Sequence, residues 1–270
     1  MVNWSVVIPV KRLSWAKTRL RGALSGVPHE ELVLALAADT VAAAVGCPRV
    51  AAVLVVTDEP EVRETAAHLG AEPIADVPDA GLNPALSYGA EQAVRRRPDT
   101  AVAVLGADLP ALRPAELAGA LDAAQPYRRA YLSDAEGTGT VLLTASRGVP
   151  LEPRFGSDSA RAHAAGGAVE LVGDWPSLRR DVDTAGDLAE AVALGLGPRT
   201  ARVMAVQATV ATFDPDTRSG TALLDDGHEV TYDSAAFDAS GLRHLRLGQR
   251  ITLQHDEQGK LVRITIPTIP

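Results

Sequence analysis

A cluster of basic side chains follows the first apolar run of the sequence. Lys11, Arg12, Lys17, Arg19 and Arg21 place five cationic groups within eleven residues of a chain whose formal net charge is −8. Such loops bind phosphates, because backbone N–H groups and cationic side chains neutralise the charge that develops on a leaving pyrophosphate. A solvated surface loop is the alternative, and the position directly after a strand favours phosphate binding.

Three aspartates have the types and spacing of metal ligands. Asp108 follows the apolar run Thr100–Leu105, and an acid at the carboxyl end of a buried strand can bind Mg²⁺ through oxygen. Asp181 and Asp183 lie two apart in an extended stretch, so their carboxylates face the same side and repel unless a cation lies between them. The three predict a cradle for one or two Mg²⁺ ions in nucleotidyl transfer. Helix capping is the alternative for Asp108 and for Asp183.

Three further loops carry groups that bind nucleotides or anions. Gly81 and Asn83 precede a helix, and the Asn83 amide suits a base edge or a ribose, although a turn with a helix cap explains both residues nearly as well. The glycine-rich turn 137–140 and the segment 154–159 offer hydroxyls and amides to an acidic acceptor substrate. His163 is assigned no role, because a lone histidine on a short helix is more often structural or exposed.

The elements that must position these residues alternate along the chain. Short apolar runs rich in Val and Ile recur over the first two hundred residues, and segments of helical periodicity separate the first four. The runs are Trp4–Pro9, Val50–Thr57, Ala71–Ala75, Thr100–Leu105, Ala130–Leu132, Val141–Thr144 and Ala168–Val172, and the helical segments are Glu31–Val45, Glu59–Leu69 and Ala85–Arg96. This pattern predicts an α/β fold, a mostly parallel sheet with helices on both faces. Ligands then lie beyond the carboxyl ends of the strands, where the strand order switches.

The pattern changes near residue 200. Thr184 and Asp187 predict a capping box for a last helix, and Gly195, Gly197 and Pro198 end it. From Val206 onward short strands alternate with hairpin turns, the strands being Gln207–Phe213, Gly220–Leu224, Glu229–Tyr232, Gln249–His255 and Leu261–Ile266, with a turn at Asp225-Asp226-Gly227. We therefore predict two domains, residues 1–200 and a small all-β domain at 206–270, with the boundary near Pro198–Ala205.

Composition narrows the function classes. The acidic net charge argues against broad nucleic-acid binding, which needs a basic surface. Cys47 is the single cysteine, so an intramolecular disulfide and a multi-cysteine zinc site are excluded. The start of the chain has no signal-peptide pattern, and no apolar run approaches the roughly 20 residues of a membrane span. These features predict a cytoplasmic protein with no membrane partner.

Taken in order, the motifs resemble one enzyme family. They are Ile8-Pro9-Val10-Lys11, Ala16-Lys17-Thr18-Arg19-Leu20, Gly81-Leu82-Asn83, Gly106-Ala107-Asp108-Leu109-Pro110, Gly139-Thr140, Phe155-Gly156-Ser157-Asp158-Ser159 and Asp181-Val182-Asp183-Thr184. This series resembles the 2-phospho-L-lactate or phosphoenolpyruvate guanylyltransferases of coenzyme F-420 biosynthesis, over roughly residues 2–200. Arg12 departs from the pattern, because many relatives carry proline there.

The resemblance implies a nucleotidyltransferase-type fold and a Mg²⁺-dependent reaction. The acceptor's phosphate attacks the α-phosphorus of GTP and releases pyrophosphate, with no covalent enzyme intermediate. The implied roles are metal binding by Asp108, Asp181 and Asp183, acceptor binding by Thr140, Gly156 and Ser159, triphosphate binding by Lys11, Lys17 and Arg19, and guanine selection by Gly81 and Asn83, with Lys17 and Asp108 as catalytic residues. The resemblance favours phosphoenolpyruvate over 2-phospho-L-lactate as acceptor, and implies that the product passes to the next biosynthetic enzyme.

The C-terminal segment resembles cold-shock or OB-type barrels. The matching motifs include Ala208-Thr209-Val210, Ser219-Gly220 and Leu247-Gly248-Gln249-Arg250. Cold-shock domains bind single strands by stacking bases on exposed aromatic rings, whereas residues 219–224 contain no aromatic ring. From residue 204 onward there are six Lys or Arg against nine Asp or Glu, so packing or dimerisation is favoured over nucleic-acid binding. Phe213, Tyr232 and Phe237 remain candidate stacking platforms.

Two other functions stay open from the sequence. A molybdopterin or sugar-phosphate nucleotidyltransferase would share the fold, but such enzymes open with a longer glycine-rich loop, and here no glycine precedes Gly22 in the basic loop. A nucleic-acid-binding regulator acting through the barrel would carry a degenerate enzyme domain. The three aspartates and the lysine loop are all present, so the sequence does not indicate degeneration.

Overall fold

Two separate sheets organise the chain, as the computed structural model shows for residues 2–21, 27–77, 80–225, 227–255 and 261–266. Gly22 and Asp226, which entered the sequence analysis, lie outside the described residues. The first sheet contains β1 (Trp4–Pro9), β2 (Val50–Val56), β3 (Glu72–Ile74), β4 (Ala101–Leu105), β5 (Arg129–Ser133), β6 (Thr140–Ala145) and β7 (Val169–Glu170). Its helices are α1 (His29–Val45), α2 (Pro60–His68), α3 (Leu82–Arg96), α4 (Pro114–Ala124), α5 (Ser159–Ala165), α6 (Pro176–Arg179), α7 (Ala185–Leu194) and α8 (Pro198–Met204). Every predicted strand and helix of this part is present.

The strand order of the first sheet is β3-β2-β1-β4-β6-β5-β7. Strands β3, β2, β1 and β4 pair in parallel, β6 runs antiparallel to β4 and β5, and β7 is parallel to β5. The chain builds outward from β1 through β2 to β3 and then returns to place β4 on the other side of β1. The predicted mostly parallel sheet is therefore confirmed, with its switch point between β1 and β4.

Helices cover both faces of this sheet because the central strands are apolar on both sides. In β1, Trp4, Val6 and Ile8 belong to one buried cluster, while Val7 belongs to a second cluster on the opposite face. This alternation follows from the two-residue period of a strand. The first cluster packs under α1 and α4, and the second packs under α3.

Gly89 lets α3 approach the sheet closely. A Cβ atom at this position would lie 2.5 Å from Cγ1 of Val7 and 2.8 Å from Cγ2 of Val56. Gly89→Ala is therefore expected to lower the free energy of unfolding by about 1–3 kcal/mol, as overpacking does. Urea unfolding measures this change. Gly186→Ala in α7 is the matched control, because its Cβ would meet only Oγ1 of Thr184 at 3.6 Å. Equal stability of the two variants would contradict the close packing.

Two helices precede the second sheet. The predicted capping box opens α7: Oγ1 of Thr184 accepts from the Asp187 N–H, and the Asp187 carboxylate accepts from the Thr184 N–H. The segment at which the sequence analysis places the domain boundary is helical, because Pro198 opens α8. The buried Asp39 of α1 accepts the N–H groups of Arg199 and Thr200 at 3.2 and 2.7 Å, which fixes α8 against α1. Because the capping carboxylate lies about 160 residues earlier in the chain, the sequence around Pro198 contains no capping motif that would predict α8.

The second sheet is antiparallel throughout. It contains β8 (Val206–Asp214), β9 (Ser219–Leu224), β10 (Glu229–Tyr232), β11 (Arg250–His255) and β12 (Leu261–Thr265), in the order β10-β9-β8-β11-β12, with α9 (Ser234–Asp238) between β10 and β11. The described strands form a curled half-barrel, since β10 and β12 are not paired. Tyr232 and Phe237 are 3% and 2% exposed, so they are core residues rather than stacking platforms. Phe213 packs against Phe237 and His244.

No helix within the described ranges is long and apolar enough to cross a membrane.

Candidate active site

A pocket of about 650 Å³ lies at the switch point between β1 and β4. It is bordered by the loop after β1, by the residues after β4 and by the start of β6. Because β6 is antiparallel to β4, its first residue, Thr140, lies at the same edge of the sheet as Asp108. Six of the predicted site residues line this pocket: Lys11, Lys17, Asp108, Thr140, Asp181 and Asp183.

Lys17 lies at the centre of the acidic part of the pocket. Its ammonium group donates hydrogen bonds to carboxylate oxygens of Asp108 and Asp183. Burial alone would lower the pKa of Lys17, but the attraction and hydrogen bonds of Asp108 and then Asp183 raise it above its ordinary value. The backbone of Lys17 has φ 51° and ψ 42°, a left-handed conformation that is uncommon outside glycine and often marks functional sites. The loop thus holds a charged ammonium group between two acids.

The stretch from Asp181 to Asp183 is held beside Asp108 by the backbone. The N–H of Val182 donates to the carbonyl of Asp108 at 3.0 Å, which carries both neighbouring carboxylates to the pocket. Asp183 pairs with Lys17 while Thr184 caps α7, and no helix begins at Asp108. The alternative that Asp108 and Asp183 cap helices therefore does not describe their side chains.

Asp181 is a carboxyl group surrounded by other acids. Its burial, together with the charges of Asp108, Asp183 and Asp134, raises its pKa to about 7, although Lys17 acts in the opposite direction. One of its carboxylate oxygens also lies within 4.8 Å of one oxygen each from Asp134 and Glu136. Asp134 is engaged in its own turn, where it accepts the N–H groups of Thr138 and Gly139. The concentration of acidic oxygens around Asp181 fits a hard divalent cation.

The predicted nucleotide residues divide into three groups. Lys11 pairs with Asp76 at 2.5 Å in the pocket, while Arg19 and Gly81 are exposed and are not among the described lining residues. The Asn83 side chain forms both of its hydrogen bonds with the backbone of Phe155. Its Oδ1 accepts the N–H of Phe155 at 2.7 Å, and its Nδ2 donates to the Phe155 carbonyl at 2.9 Å. The amide predicted to contact a base or ribose is bonded to the backbone that precedes Gly156.

Two of the three predicted acceptor residues, Thr140 and Ser159, contact one histidine, His163. Oγ1 of Thr140 and Nδ1 of His163 are 3.0 Å apart, Gly156 is exposed, and Ser159 is the buried first residue of α5. His163 is 2% exposed, and its Nε2 accepts the N–H of Arg154 at 2.9 Å. Burial, and next the charge of Arg154, lowers the pKa of His163 to about 4.

Sequence reasoning missed Asp76, Trp15 and His163. Asp76 follows β3, so the rule that ligands meet the carboxyl ends of strands would have found it. One of its oxygens bonds Lys11, and the other has no hydrogen-bond partner among the described residues. Trp15 lines the pocket at 73% exposure with the guanidinium of Arg12 5.0 Å from its ring. His163 carries no local signal, because its partners are distant in sequence.

The lowered pKa of His163 predicts a specific loss of stability in acid. The ordinary value is 6.5 and the folded value is about 4, so the unfolded chain binds the proton more readily. The contribution of neutral His163 to the free energy of unfolding is complete above pH 6.5 and is lost as the pH falls through about 4. Its size is about 2–4 kcal/mol, at about 1.4 kcal/mol per pKa unit. Urea unfolding from pH 7 to 4 should show a steeper loss for the wild type than for His163→Gln. Parallel curves would contradict this assignment.

A family model and individual relatives of known name indicate the same family for this chain. The model of the family described as "Guanylyl transferase CofC like" matches residues 4–205, which ends just before β8. A phosphoenolpyruvate guanylyltransferase from Salinispora arenicola is 61% identical over 210 residues, covering 77% of this chain and 96% of that protein. A protein of the same name from Streptomyces coelicolor is 53% identical over 205 residues, covering 76% of this chain and 97% of the relative.

Among solved structures, the chain is similar to one described as a nucleotide-diphospho-sugar transferase from Desulfovibrio desulfuricans G20. The TM-score is 0.52 at 17% identity, over 70% of this chain and 86% of that one. At this identity the likeness shows the fold, which is the nucleotidyltransferase-type α/β fold expected from the sequence.

Proposed function

The chain belongs to the family of CofC-like guanylyl transferases, and we propose that it transfers GMP from GTP to phosphoenolpyruvate. The products are enolpyruvoyl-diphospho-guanosine and pyrophosphate, a step of coenzyme F-420 biosynthesis. The observation that carries the proposal is the Lys17 ammonium group held between Asp108 and Asp183, which line a pocket large enough for a nucleotide. Identity of 61% to a phosphoenolpyruvate guanylyltransferase supports the choice of substrates.

The reaction needs positioning and charge neutralisation more than it needs a base. A phosphate oxygen of the acceptor attacks the α-phosphorus of GTP, a new P–O bond forms, and the bond to the β-phosphate breaks with its electron pair leaving on pyrophosphate. The attacking phosphate is already ionised at neutral pH, so no side chain has to remove a proton. Transfer between two polyanions therefore depends on cationic groups such as Lys17 and on alignment of the two substrates.

Three aspartates form the proposed metal site. The donor set consists of carboxylate oxygens, and the raised pKa of Asp181 reflects a group that is poorly compensated without a cation, so these residues fit Mg²⁺. A Mg²⁺ ion held by Asp108, Asp181 and Asp183 would supply neutralisation of charge on the reacting phosphates. Lys17, protonated between two of these acids, is placed to exchange its carboxylate contacts for phosphate oxygens of GTP.

The remaining site residues divide between the two substrates. We assign Lys11 and Arg19, with Lys17, to the triphosphate and Gly81 to guanine, although Arg19 and Gly81 are exposed and lie outside the described lining of the pocket. Thr140, Gly156 and Ser159 bind the three-carbon acceptor. Asn83, whose amide is bonded to Phe155, acts on the acceptor side.

The deciding experiment measures pyrophosphate release from GTP with Mg²⁺. Phosphoenolpyruvate, 2-phospho-L-lactate and 3-phosphoglycerate are compared as acceptors, with ATP and CTP replacing GTP as controls. Release with GTP and phosphoenolpyruvate is expected. Release only with 2-phospho-L-lactate would identify that compound as the acceptor. No release with any of the three would indicate another nucleotidyltransferase, of the molybdopterin or sugar-phosphate type.

The organisation of the chain is part of the proposal. We place the domain boundary after Ala205 rather than at residue 200, because α8 packs on α1 and the family match also ends at 205. The C-terminal half-barrel is a separate domain of OB type with a packing role. Both substrates are cytoplasmic metabolites, so the enzyme works in the cytoplasm and hands its product to the next biosynthetic enzyme.

A further inference from the structure

The loop that precedes α5 is held in an unusual backbone conformation. This acceptor loop, defined as residues 154–159, follows Glu152 with φ 51° and contains Gly156 with φ 140° and Asp158 with φ 56°. Left-handed conformations of residues other than glycine are unfavourable and persist only where the surroundings impose them. Gly156 has a φ that other residues rarely adopt. Something outside the loop therefore has to fix it.

Two side chains from outside the loop bond to its backbone. Asn83 of α3 forms a pair of hydrogen bonds with the N–H and carbonyl of Phe155, 72 residues away. His163 of α5 accepts the N–H of Arg154 and packs edge-on against the Phe155 ring, with ring centroids 5.0 Å apart. Together they fix the two residues that precede Gly156.

The bond from Arg154 also determines which nitrogen of His163 carries its proton. A backbone N–H can only donate, so Nε2 must present its lone pair, and in the neutral ring the hydrogen then lies on Nδ1. Nδ1 is 3.0 Å from Oγ1 of Thr140, which can accept this hydrogen but cannot donate to it, and the backbone of Ser159 is a second hydrogen-bond partner of the ring. The Thr140 hydroxyl hydrogen is thereby left to point to another acceptor, and Thr140 lines the pocket.

The surroundings of His163 keep it neutral. The ring is 2% exposed and lies beside Arg154, Tyr131 and Phe155. Burial, and next the positive charge of Arg154, disfavour a second proton on the ring and outweigh the hydrogen bond with the Ser159 backbone, which favours it. A protonated ring would also set an Nε2 hydrogen against the N–H of Arg154 and break the arrangement.

We infer that His163 and Asn83 are positioning residues, which hold the acceptor loop and aim the Thr140 hydroxyl at the acceptor substrate. The inference rests on the proposed function, since it assigns the loop to phosphoenolpyruvate. It gives Thr140 the role of hydrogen-bond donor to an anionic oxygen, and it moves Asn83 from guanine selection to acceptor binding.

Steady-state kinetics of matched variants tests this inference. His163→Gln places an amide near the Nε2 position and His163→Asn places one near the Nδ1 position, so each keeps one contact, whereas His163→Leu keeps neither. We expect KM for phosphoenolpyruvate to rise about tenfold for the two amides and about a hundredfold for leucine, with KM for GTP unchanged. His68→Gln, at the exposed end of α2, is the control. Equal increases in both KM values, or unchanged values with lowered stability, would overturn the positioning role of His163.

Asn83 is tested in the same assay. Asn83→Asp keeps the acceptor for the Phe155 N–H and loses the donor, and Asn83→Ala loses both. The expected result is again a rise in KM for phosphoenolpyruvate of about tenfold for alanine, with discrimination between GTP and ATP intact. A rise in KM for GTP with weakened discrimination would return Asn83 to the base and overturn its assignment here.

A spectroscopic measurement separates this inference from the proposed function. Two-bond ¹H–¹⁵N correlation spectra of the full chain report the protonation of each imidazole nitrogen without any substrate. We expect Nδ1 of His163 to be protonated and Nε2 to be bare. The opposite tautomer would overturn the inference even if the enzyme is active. The expected tautomer in a protein that releases no pyrophosphate from GTP and phosphoenolpyruvate would count against the proposed function alone.

Discussion

Asp108→Asn is expected to lower kcat for pyrophosphate release by at least about 10³-fold, because an oxygen that binds the cation and faces the reacting phosphates is replaced by a neutral amide. The change should leave the fold intact. The Asp108 side chain is 23% exposed and bonds to Lys17 at the pocket surface, and asparagine has the same shape. Affinity for Mn²⁺, measured by calorimetry, should fall in parallel with turnover.

The control for this variant is a surface carboxylate of the same type. Asp99 pairs with Arg147 at 2.9 Å, with side chains 83% and 65% exposed, and neither residue is among those that line the pocket. Asp99→Asn is expected to keep wild-type turnover and metal affinity. Near-normal turnover of Asp108→Asn would show that the aspartates after β4 and before α7 are not the metal site.

Lys17→Ala is expected to lower kcat/KM for GTP by about 10³-fold, because the charge that neutralises the triphosphate in the transition state is lost. Affinity for a divalent cation without nucleotide should change in the opposite direction. The Lys17 ammonium group competes for Asp108 and Asp183, so its removal should tighten Mn²⁺ binding several-fold. Turnover and metal affinity would then move apart, whereas in Asp108→Asn they fall together.

Two further variants sharpen this measurement. Lys17→Arg keeps the charge with a wider head group, so it should recover part of the activity if charge dominates. Arg147→Ala removes a cation from the surface pair with Asp99 and should behave as the wild type. Weaker Mn²⁺ binding in Lys17→Ala would contradict the competition between ammonium and metal.

The sequence predicted the scaffold well because its signals are local. Runs of Val and Ile give β1, β2 and β4, and the Thr184 capping box gives the start of α7. The position of Asp108 was also predictable, because residues that follow the strands of a parallel sheet meet at one edge. Asp183 follows no strand of this sheet, and it is brought to Asp108 by the hydrogen bond from the Val182 N–H to the Asp108 carbonyl.

What the sequence did not predict depends on distant partners. The sequence suggested that the Asn83 amide contacts a base, because its bonds to the backbone of Phe155 are visible only in the structure. In the same way, the role of His163 depends on its contacts with Arg154 and Thr140, which the sequence does not reveal. The role of the C-terminal aromatic residues also depends on burial, because the sequence cannot show whether the Tyr232 ring faces the solvent or the core. The helix α8 was missed because the group that caps it, Asp39, belongs to another helix.

The bond from Asp39 to α8 also determines where the chain can be divided. The Asp39 carboxylate is 4% exposed, and the donors that offset its burial are the N–H groups of Arg199 and Thr200. A protein shortened at Gly197 would keep the acid and lose its donors, leaving a buried charge without compensation. A protein shortened at Ala205 keeps both. The connection between α8 and β8 is thus a single residue, Ala205.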